Sequence, residues 1–175
     1  HRPDVVDRQV AALGQEAQGV PYFRREANVT AFTEGWGLYA EKLGGEMGIY
    51  RNAYERFGRL SYEMWRACRL VADTGLHWKG WTLDQARECF TKNSALSLLN
   101  IEVELARYVS WPGQALAYKT GEMKIVAIRE KARAELGEAF DIRRFHDAVL
   151  QDGPMPLDML ERKIDAWTAA EKAGS

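Results

Sequence analysis

Apolar side chains recur at every third or fourth position along most of the chain, with polar side chains between them. This spacing places the apolar side chains along one face of an α-helix. Strand patterns are nearly absent, because the sequence contains no alternating run of β-branched residues. The pattern therefore predicts an all-α protein, a compact bundle of about seven or eight helices.

Capping and breaking residues divide this pattern into separate helices. The residues expected to cap or open helices are Thr30, Asn52, Thr82, Ser94 and Asp141, and Pro112 is expected as a first helical residue. Glycines are expected to end helices, at Gly44, Gly45, Gly75, Gly137 and Gly153. The predicted helices cover residues 5–18, 30–43, 52–74, 83–91, 94 to the break at 111–113, 112–136, 142–150 and 156–170.

Length and charge limit the class of protein and its partners. The chain of 175 residues can bury a core and is expected to form a single domain over residues 1–175. Its formal net charge of -1 gives no electrostatic attraction to nucleic acid or to an anionic membrane. No apolar run approaches the roughly 20 residues of a membrane-spanning helix. We therefore expect neither nucleic acid nor membrane as a partner.

The two cysteines, Cys68 and Cys89, are too few for a disulfide framework. Cys68 lies among apolar helical residues, which is typical of a small buried hydrophobe. Residues 1–9 are polar and contain no apolar stretch typical of a secretory signal. These features favour a reducing compartment, and the cytoplasm is slightly preferred.

Two carboxylates lie on one face of the predicted helix at 30–43. Glu34 and Glu41 are seven residues apart, which is two helical turns. A glutamate between glycine and aromatic residues can be a metal ligand or a general base. The alternative is a first-turn glutamate that the helix dipole stabilises, and spacing alone favours that alternative.

A polar stripe runs along the predicted helix at 52–74 and continues past its end. Arg66, Arg69, Asp73 and His77 recur every three or four residues. The simplest interpretation is an ion pair between Arg69 and Asp73 at i,i+4, which spacing alone favours. The functional alternative is the wall of a cleft, where arginine holds a substrate carboxylate and His77 faces the reaction centre.

A third group follows the break at residues 111–113. Gln114 and Tyr118 are at i,i+4 and are expected to share one helix face. A tyrosine hydroxyl beside a metal can stabilise the oxyanion of a tetrahedral intermediate. The alternative is that Gln114 and Tyr118 bond to each other or to the backbone near a helix start.

Several common catalytic motifs are absent from the sequence. It contains no HExxH motif, no glycine-rich phosphate loop and no Cys-x-x-Cys pair. The histidines other than His77 are His1 and His146, and the surroundings of His146 are typical of a helix surface. These side chains do not complete a three-ligand zinc site.

Four phrases in the sequence resemble one bacterial family. They are EGWGLYAE at 34–41, WRACRLVADTGLH at 65–77, WPGQALAYK at 111–119 and FDIRRFHD at 140–147. Their order and wording are similar to the pattern of the family of bacterial proteins of unknown function known as DUF885. The resemblance extends from about Gly19 to Trp167 and covers only the C-terminal portion of family members, which are several times longer.

The resemblance implies a helical zinc-peptidase fold, with zinc as the cofactor of intact members and peptide as their substrate. In such members a His-Glu-x-x-Pro-Gly-His-His stretch lies just upstream of the Glu-Gly-Trp phrase. The same alignment makes Glu34 the third metal ligand and places His1 on the first histidine. Arg2 then replaces the water-activating glutamate, and Asp7 and Arg8 replace the two later histidines. Because an arginine cannot act as a base at neutral pH, this chain is expected to be an inactive, metallopeptidase-like domain.

The resemblance and the shared helix faces together give each candidate residue a role. The expected metal ligands are Glu34 and His1, and the expected catalytic residues are Tyr118 and His77. The expected substrate-binding residues are Arg66, Arg69, Asp73, Gln114 and Lys119.

Two other interpretations of the chain stay open at this point. The chain can be a non-catalytic binding module, in which apolar helix faces left exposed by a missing half of the cleft are covered when two copies pair as a homodimer. It can also be a fragment of a longer, intact enzyme.

Overall fold

The computed structural model describes residues 28–174. This part of the chain forms seven α-helices and two 3-10 turns and contains no strand, so the predicted all-α class is confirmed. The helices are α1 Thr30–Glu46, α2 Ala53–Trp78, α3 Leu83–Asn93, α4 Leu98–Ser110, α5 Ala117–Leu136, α6 Ile142–Leu150 and α7 Leu157–Gly174. The 3-10 turns are Gln114–Leu116 and Gly137–Ala139. The helix predicted at 5–18 lies outside the described residues.

Three helices begin at the predicted capping side chain. Asn52 accepts a hydrogen bond from the backbone N–H of Glu55 at the start of α2. Thr82 and Gln85 form a reciprocal capping box at the start of α3. Asp141 accepts from two backbone N–H groups at the start of α6. These starts depend on side chains within three residues, so the local sequence was sufficient to place them.

Two other predicted caps are wrong. Ser97, and not Ser94, accepts from the backbone N–H of Asn100 and caps α4. Ser94 instead ends α3, where its backbone N–H donates to the carbonyl oxygen of Phe90. Thr30 is the first residue of α1 rather than its cap, since the carbonyl of Val29 already accepts the first helical hydrogen bonds.

Some glycines predicted to end helices lie inside them. The helix α1 continues through Gly44 and Gly45 to Glu46. The helix α2 continues past Gly75, where a Cβ atom would lie 2.1 Å from Cε3 of Trp81. Gly75 therefore allows the indole ring of Trp81 to pack directly on the helix backbone, and it does not break the helix.

The break after α4 is also built differently from the prediction. Pro112 does not begin a helix, because Gly113 follows it with a left-handed φ of 81°. The 3-10 turn Gln114–Leu116 comes next, and α5 begins only at Ala117. A positive φ favours glycine, so the position of Gly113 explains why this glycine interrupts the helix.

The chain divides into two compact units. Within the described residues, unit 1 is 28–37 with 121–174, and unit 2 is 38–120. The expectation of a single domain over 1–175 stays a prediction. The part of the chain from 28 to 174 has no helix that combines the length and the apolar character needed to cross a bilayer.

Unit 1 packs around a close approach of two backbones. A Cβ atom on Gly121 in α5 would lie 1.9 Å from the carbonyl oxygen of Ala31 in α1, and one on Gly35 would lie 2.4 Å from Cα of Gly121. Only glycine permits this separation. The buried apolar side chains of unit 1 include Phe32, Trp36, Ile125, Ile128, Phe145, Val149, Leu160 and Ile164.

Unit 2 has its own apolar core, and a disulfide crosses it. Cys68 in α2 and Cys89 in α3 form this disulfide, with their Cα atoms 5.6 Å apart. The core residues around it are Cys68, Ala72, Ala86, Phe90, Ile101, Leu105, Tyr108 and Ala115. Cys68 is buried as predicted, with 0% of its surface exposed. It is also disulfide-bonded, so the argument for a reducing compartment falls away.

Seven apolar residues recur along α2 at a spacing that predicts one buried face: Tyr54, Phe57, Leu60, Met64, Ala67, Leu70 and Val71. Ala67 and Leu70 are half-buried, but the other five are exposed. Tyr54 is 88% exposed, Phe57 61%, Leu60 53%, Met64 41% and Val71 44%. We call these five side chains the α2 stripe. Buried on the same helix are Cys68 and Ala72 together with two charged side chains, Arg69 and Asp73. The polar stripe of α2 therefore contributes to the interior, although the apolar pattern predicted the reverse.

Candidate functional site

A buried guanidinium group lies at the centre of the polar network of unit 2. Arg69 in α2 is only 4% exposed. Its Nε donates to the hydroxyl oxygen of Tyr108 at 3.0 Å, and its Nη2 donates to Oε2 of Glu104 at 2.8 Å. Burial alone would lower the pKa of Arg69, but Tyr108 and Glu104 outweigh burial and raise it above its ordinary value. Arg69 is therefore a permanent positive charge inside unit 2.

The Tyr108 hydroxyl connects α2 and α4 inside unit 2. It accepts hydrogen bonds from Arg69 and, at 3.3 Å, from the indole Nε1 of Trp65. Burial raises the pKa of Tyr108 to about 12, although Arg69 and Trp65 act in the opposite direction. The hydroxyl therefore stays protonated at neutral pH. Sequence reasoning did not select Tyr108, although Glu104 and Tyr108 at i,i+4 on α4 were a usable signal.

Two further arginines surround Arg69. The guanidinium of Arg66 lies 5.8 Å from the ring centre of Tyr118, and that of Arg69 lies 4.7 Å from the same ring. Arg107 in α4 donates from Nη2 to Oε1 of Gln114 at 3.3 Å and lies 3.5 Å from the Glu104 carboxylate. We call Arg66, Arg69 and Arg107 the guanidinium cluster. Tyr118 therefore forms an aromatic wall against two of its three charges.

The guanidinium cluster has unused hydrogen-bond donors. Nε of Arg66, Nη1 of Arg69 and Nε of Arg107 are buried, and none of them has an acceptor among residues 28–174. Arg69 and Arg107 share the carboxylate of Glu104, and Arg66 pairs with no carboxylate in that part of the chain. Among residues 28–174, the three guanidinium groups of the cluster therefore form ion pairs with one carboxylate only, that of Glu104, and this excess of positive charge favours an anionic ligand.

The predicted ion pair between Arg69 and Asp73 is wrong. Both carboxylate oxygens of Asp73 accept from the backbone N–H of Gly113 at 3.1 Å. Asp73, which is 2% exposed, therefore holds the turn before α5 in place. Arg69 and Asp73 therefore do not pair with each other. Each instead bonds to groups distant in sequence, because a buried charge needs a well-placed partner.

His77 lies near the end of α2, with its ring largely exposed. Its Nε2 is 2.9 Å from the carbonyl oxygen of Tyr108. A carbonyl oxygen can only accept, so Nε2 of His77 donates this hydrogen bond. His77 therefore lies beside the backbone of Tyr108, on the same helix as Arg66 and Arg69.

Lys119 belongs to an ion-pair chain at the side of the cluster. Its Nζ lies 3.0 Å from Oε1 of Glu63, and Nη1 of Arg59 lies 2.8 Å from Oε2 of Glu63. Burial would raise the pKa of Glu63, but Lys119 and Arg59 outweigh burial and lower it below its ordinary value. Glu63 therefore stays ionised at neutral pH and holds Lys119 in place.

The structure brings together within unit 2 all of the predicted substrate-binding and catalytic residues. Gln114 bonds to Arg107 in the 3-10 turn, and Tyr118 faces Arg66 and Arg69 from α5. These roles stay predictions. Sequence reasoning did not assign roles to Tyr108, Glu104 and Arg107, because it did not reveal their contacts with Arg69 and Gln114, which lie outside α4.

Neither of the two predicted metal ligands is among the described residues of unit 2. Glu34 is half-buried in the second turn of α1 and belongs to unit 1, and His1 lies outside the described residues. Within residues 28–174 no three His, Cys, Asp or Glu side chains converge as a metal site would require. His146 in α6 is also not a surface residue as expected, since it is half-buried and packs edge-on against Trp36 at 5.4 Å.

Two solved bacterial structures, each described as a "putative lipoprotein", resemble this chain. The one from Colwellia psychrerythraea is 44% identical with a TM-score of 0.82, and the match covers 86% of this chain and 26% of that protein. The one from Shewanella oneidensis is 22% identical with a TM-score of 0.70, and the match covers 90% of this chain and 31% of that protein. The second likeness shows the fold alone. The chain spans about a quarter to a third of the length of these proteins.

No curated protein matched the sequence. The family described as "Bacterial protein of unknown function (DUF885)" matches residues 8–164, which is most of the chain. The resemblance that the four sequence phrases indicated is therefore confirmed at the level of the family, and the chain belongs to the DUF885 family of bacterial proteins.

Proposed function

We propose that unit 2 binds the C-terminal carboxylate of a peptide, as the substrate-recognition part of a peptidase-like protein. The observation that supports this proposal most directly is the set of three buried N–H groups without acceptors in the guanidinium cluster. A buried donor without a partner costs about 1–3 kcal/mol. A carboxylate accepts from arginine through two oxygens, so one ligand group can satisfy several of these donors.

The surroundings of the cluster suit a peptide end better than a free inorganic ion. The ring of Tyr118 lies against Arg66 and Arg69, and Trp65 lies 5.0 Å from the Arg69 guanidinium. Aromatic rings can pack against the last side chain of a peptide while the arginines hold its carboxylate. Gln114 and Arg107 supply further polar groups for the peptide backbone.

We further propose that this chain does not hydrolyse peptides by itself. The zinc site that the family resemblance implies requires a glutamate base and two further histidines in addition to Glu34. In this chain Arg2 stands in place of the glutamate, and Asp7 and Arg8 stand in place of the histidines. Among residues 28–174 Glu34 has no companions that would complete a metal site. The donors at the aligned positions and among residues 28–174 therefore do not fit zinc, and no catalytic step is assigned to this chain.

The binding proposal is tested with a pair of peptides that differ only at the C-terminus. Titration calorimetry with an N-acetylated hydrophobic dipeptide is expected to show binding of the free acid, and at least about tenfold weaker binding of the amide. Arg66→Gln should weaken binding of the acid about tenfold, because it removes a charged donor that has no carboxylate partner among residues 28–174. Arg162→Gln, an exposed arginine in α7, is the matched control and should leave the affinity unchanged. Equal affinity for acid and amide would overturn the proposal.

The proposal that this chain does not hydrolyse peptides is tested separately with a fluorogenic peptide and added zinc. We expect no turnover above that of free zinc in buffer. Zinc-dependent hydrolysis that disappears in Glu34→Gln would show that the inactive interpretation is wrong, while leaving the carboxylate-binding result intact.

A second candidate function is a non-catalytic pairing module, and the exposed α2 stripe favours it. Tyr54, Phe57 and Leu60 project more than half of their surface into solvent. Contiguous exposed apolar side chains mark interaction surfaces. Light scattering over a concentration series tests this candidate: a mass that rises towards a dimer supports it, and a constant monomer mass excludes it.

A further inference from the structure

Unit 2 contains an open cavity of about 540 Å³ between the end of α1 and the start of α2. This volume lies within the range of small-molecule sites. The residues that line the cavity are Lys42, Gly45, Glu46, Gly48, Tyr50, Arg56, Arg59 and Leu60. The described lining residues include no member of the guanidinium cluster, and the ion pairs of Glu63 with Arg59 and Lys119 lie between the two regions.

The cavity has more positive than negative charge on its walls. Among the described lining residues, Lys42, Arg56 and Arg59 are basic and Glu46 is acidic. Arg59 already pairs with Glu63. Lys42 has no ion-pair partner among residues 28–174, and Arg56 makes one hydrogen bond, from Nη1 to the backbone oxygen of Tyr50 at 3.5 Å. Lys42 and Arg56 therefore keep donors for a ligand.

The rest of the wall is suited to an apolar group. The hydroxyl of Tyr50 donates to the backbone oxygen of Glu41 at 2.9 Å, which fixes the position of the ring. Burial and the neighbouring Glu41 raise the pKa of Tyr50, so the phenol stays neutral. Leu60, which is 53% exposed, lines the cavity beside it. Gly45 and Gly48 have no side chains to obstruct access to the backbone.

We infer that this cavity binds a small molecule that carries an oxyanion on an apolar group. The oxyanion, a phosphate or a carboxylate, is held by Lys42 and Arg56. The apolar group packs against Tyr50 and Leu60. Two cations without carboxylate partners favour a doubly charged oxyanion over a singly charged one. This site is separate from the proposed peptide-carboxylate site and does not depend on it.

Three probes of similar size test the charge requirement. Phenyl phosphate, benzoate and benzyl alcohol are titrated into the ¹⁵N-labelled chain at low salt, and the amide signals of Gly45 and Gly48 report the cavity. We expect phenyl phosphate to bind more tightly than benzoate and benzyl alcohol to leave both signals unchanged. If benzoate binds more tightly, the oxyanion is a carboxylate. Benzyl alcohol binding as tightly as the anions, or no shift at Gly45 and Gly48 with either anion, would overturn the inference.

Charge-neutralising variants locate the ligand within unit 2. Lys42→Met and Arg56→Gln should each weaken phenyl phosphate binding about five- to tenfold, because each removes one charge-assisted donor. Arg51→Gln is the matched control, since Arg51 is exposed near the same helix start but does not line the cavity. Its affinity should stay within about twofold of the parent chain. An equal loss in Arg51→Gln would reduce the effect to general surface charge and contradict the assigned site.

Discussion

The two units differ in where their large apolar side chains lie. Of the seventeen exposed large apolar side chains in the described residues, fifteen are in unit 2, and Met123 and Met159 are the two in unit 1. Both units bury charged side chains, with Glu122 and Arg129 in unit 1 and Arg69 and Asp73 in unit 2. Unit 1 therefore uses its apolar surface for its own packing, whereas unit 2 leaves apolar surface available and packs around a polar network.

The largest effect is expected where unit 1 leaves no space. In Gly121→Ala the new methyl group would lie 1.9 Å from the carbonyl oxygen of Ala31, so α1 and α5 must separate. Because backbone atoms cannot move aside as a side chain can, we expect a loss of about 3 kcal/mol or more. Urea unfolding followed by circular dichroism measures the loss. A loss below about 1 kcal/mol would show that the packing of unit 1 is looser than the structure indicates.

A second glycine, Gly37 in α1, separates the effect of the backbone contact from the effect of alanine on helix stability. Gly37 has no described atom within 4 Å of a Cβ position. Gly37→Ala should therefore leave stability unchanged or increase it by about 0.5–1 kcal/mol, because alanine is the better helix former. If both variants lose stability equally, the close approach at Gly121 is not the cause.

The next largest effect is expected from the disulfide, which joins α2 and α3 across the core of unit 2. Cys68 and Cys89 are 21 residues apart in sequence, and closing a loop of this length stabilises a fold by about 3 kcal/mol. Unfolding in the presence of a phosphine reductant should therefore need less urea than unfolding without it. A Cys68→Ala, Cys89→Ala variant should match the reduced chain and be insensitive to reductant. No difference between the oxidised and reduced chains would contradict the pairing.

A smaller loss is expected from the polar network itself. Tyr108→Phe removes the acceptor that Arg69 and Trp65 share, so it leaves a buried N–H of Arg69 and a partly buried N–H of Trp65 without this partner. We expect a loss of about 2 kcal/mol in the free energy of unfolding at pH 7. Val149→Ala in unit 1 provides a comparison with an ordinary loss of buried apolar volume. A Tyr108→Phe variant as stable as the parent would show that the network contributes little to unit 2.

The pH dependence of Tyr108 distinguishes it from an apolar core residue. The pKa of Tyr108 is raised from 10.0 to about 12 in the folded chain. Unfolding therefore releases a proton between these values, and the stabilisation that is complete below pH 10 is lost as pH rises towards 12. The parent chain should lose stability over this range, and Tyr108→Phe should lose less. Parallel curves for the two proteins would contradict the raised pKa.

Local signals and distant contacts explain which parts the sequence predicted. Thr82 and Asp141 cap helices through neighbours within three residues, so their roles were predictable. Gly75 was wrongly predicted to end a helix. A glycine is needed there because the ring of Trp81 packs on the helix backbone, and local periodicity does not reveal this contact. For the site, α2 spacing placed Arg69 and Asp73 together, but Glu104 and Gly113 became their partners.

The smallest effect on stability is expected for substitutions in the α2 stripe. This result would distinguish the exposed apolar side chains of unit 2 most clearly from the buried ones of unit 1. Phe57→Ser and Leu60→Ser change side chains that are 61% and 53% exposed, so the free energy of unfolding should change by no more than about 0.5 kcal/mol. An equivalent change in unit 1, such as Ile128→Ser at a position 2% exposed, should cost several times more. If the α2 stripe mediates pairing, Phe57→Ser should also reduce the mass measured by light scattering at high concentration. A loss of stability comparable with that of Ile128→Ser would mean that Phe57 supports the interior of unit 2, and the contrast between the units would then not hold.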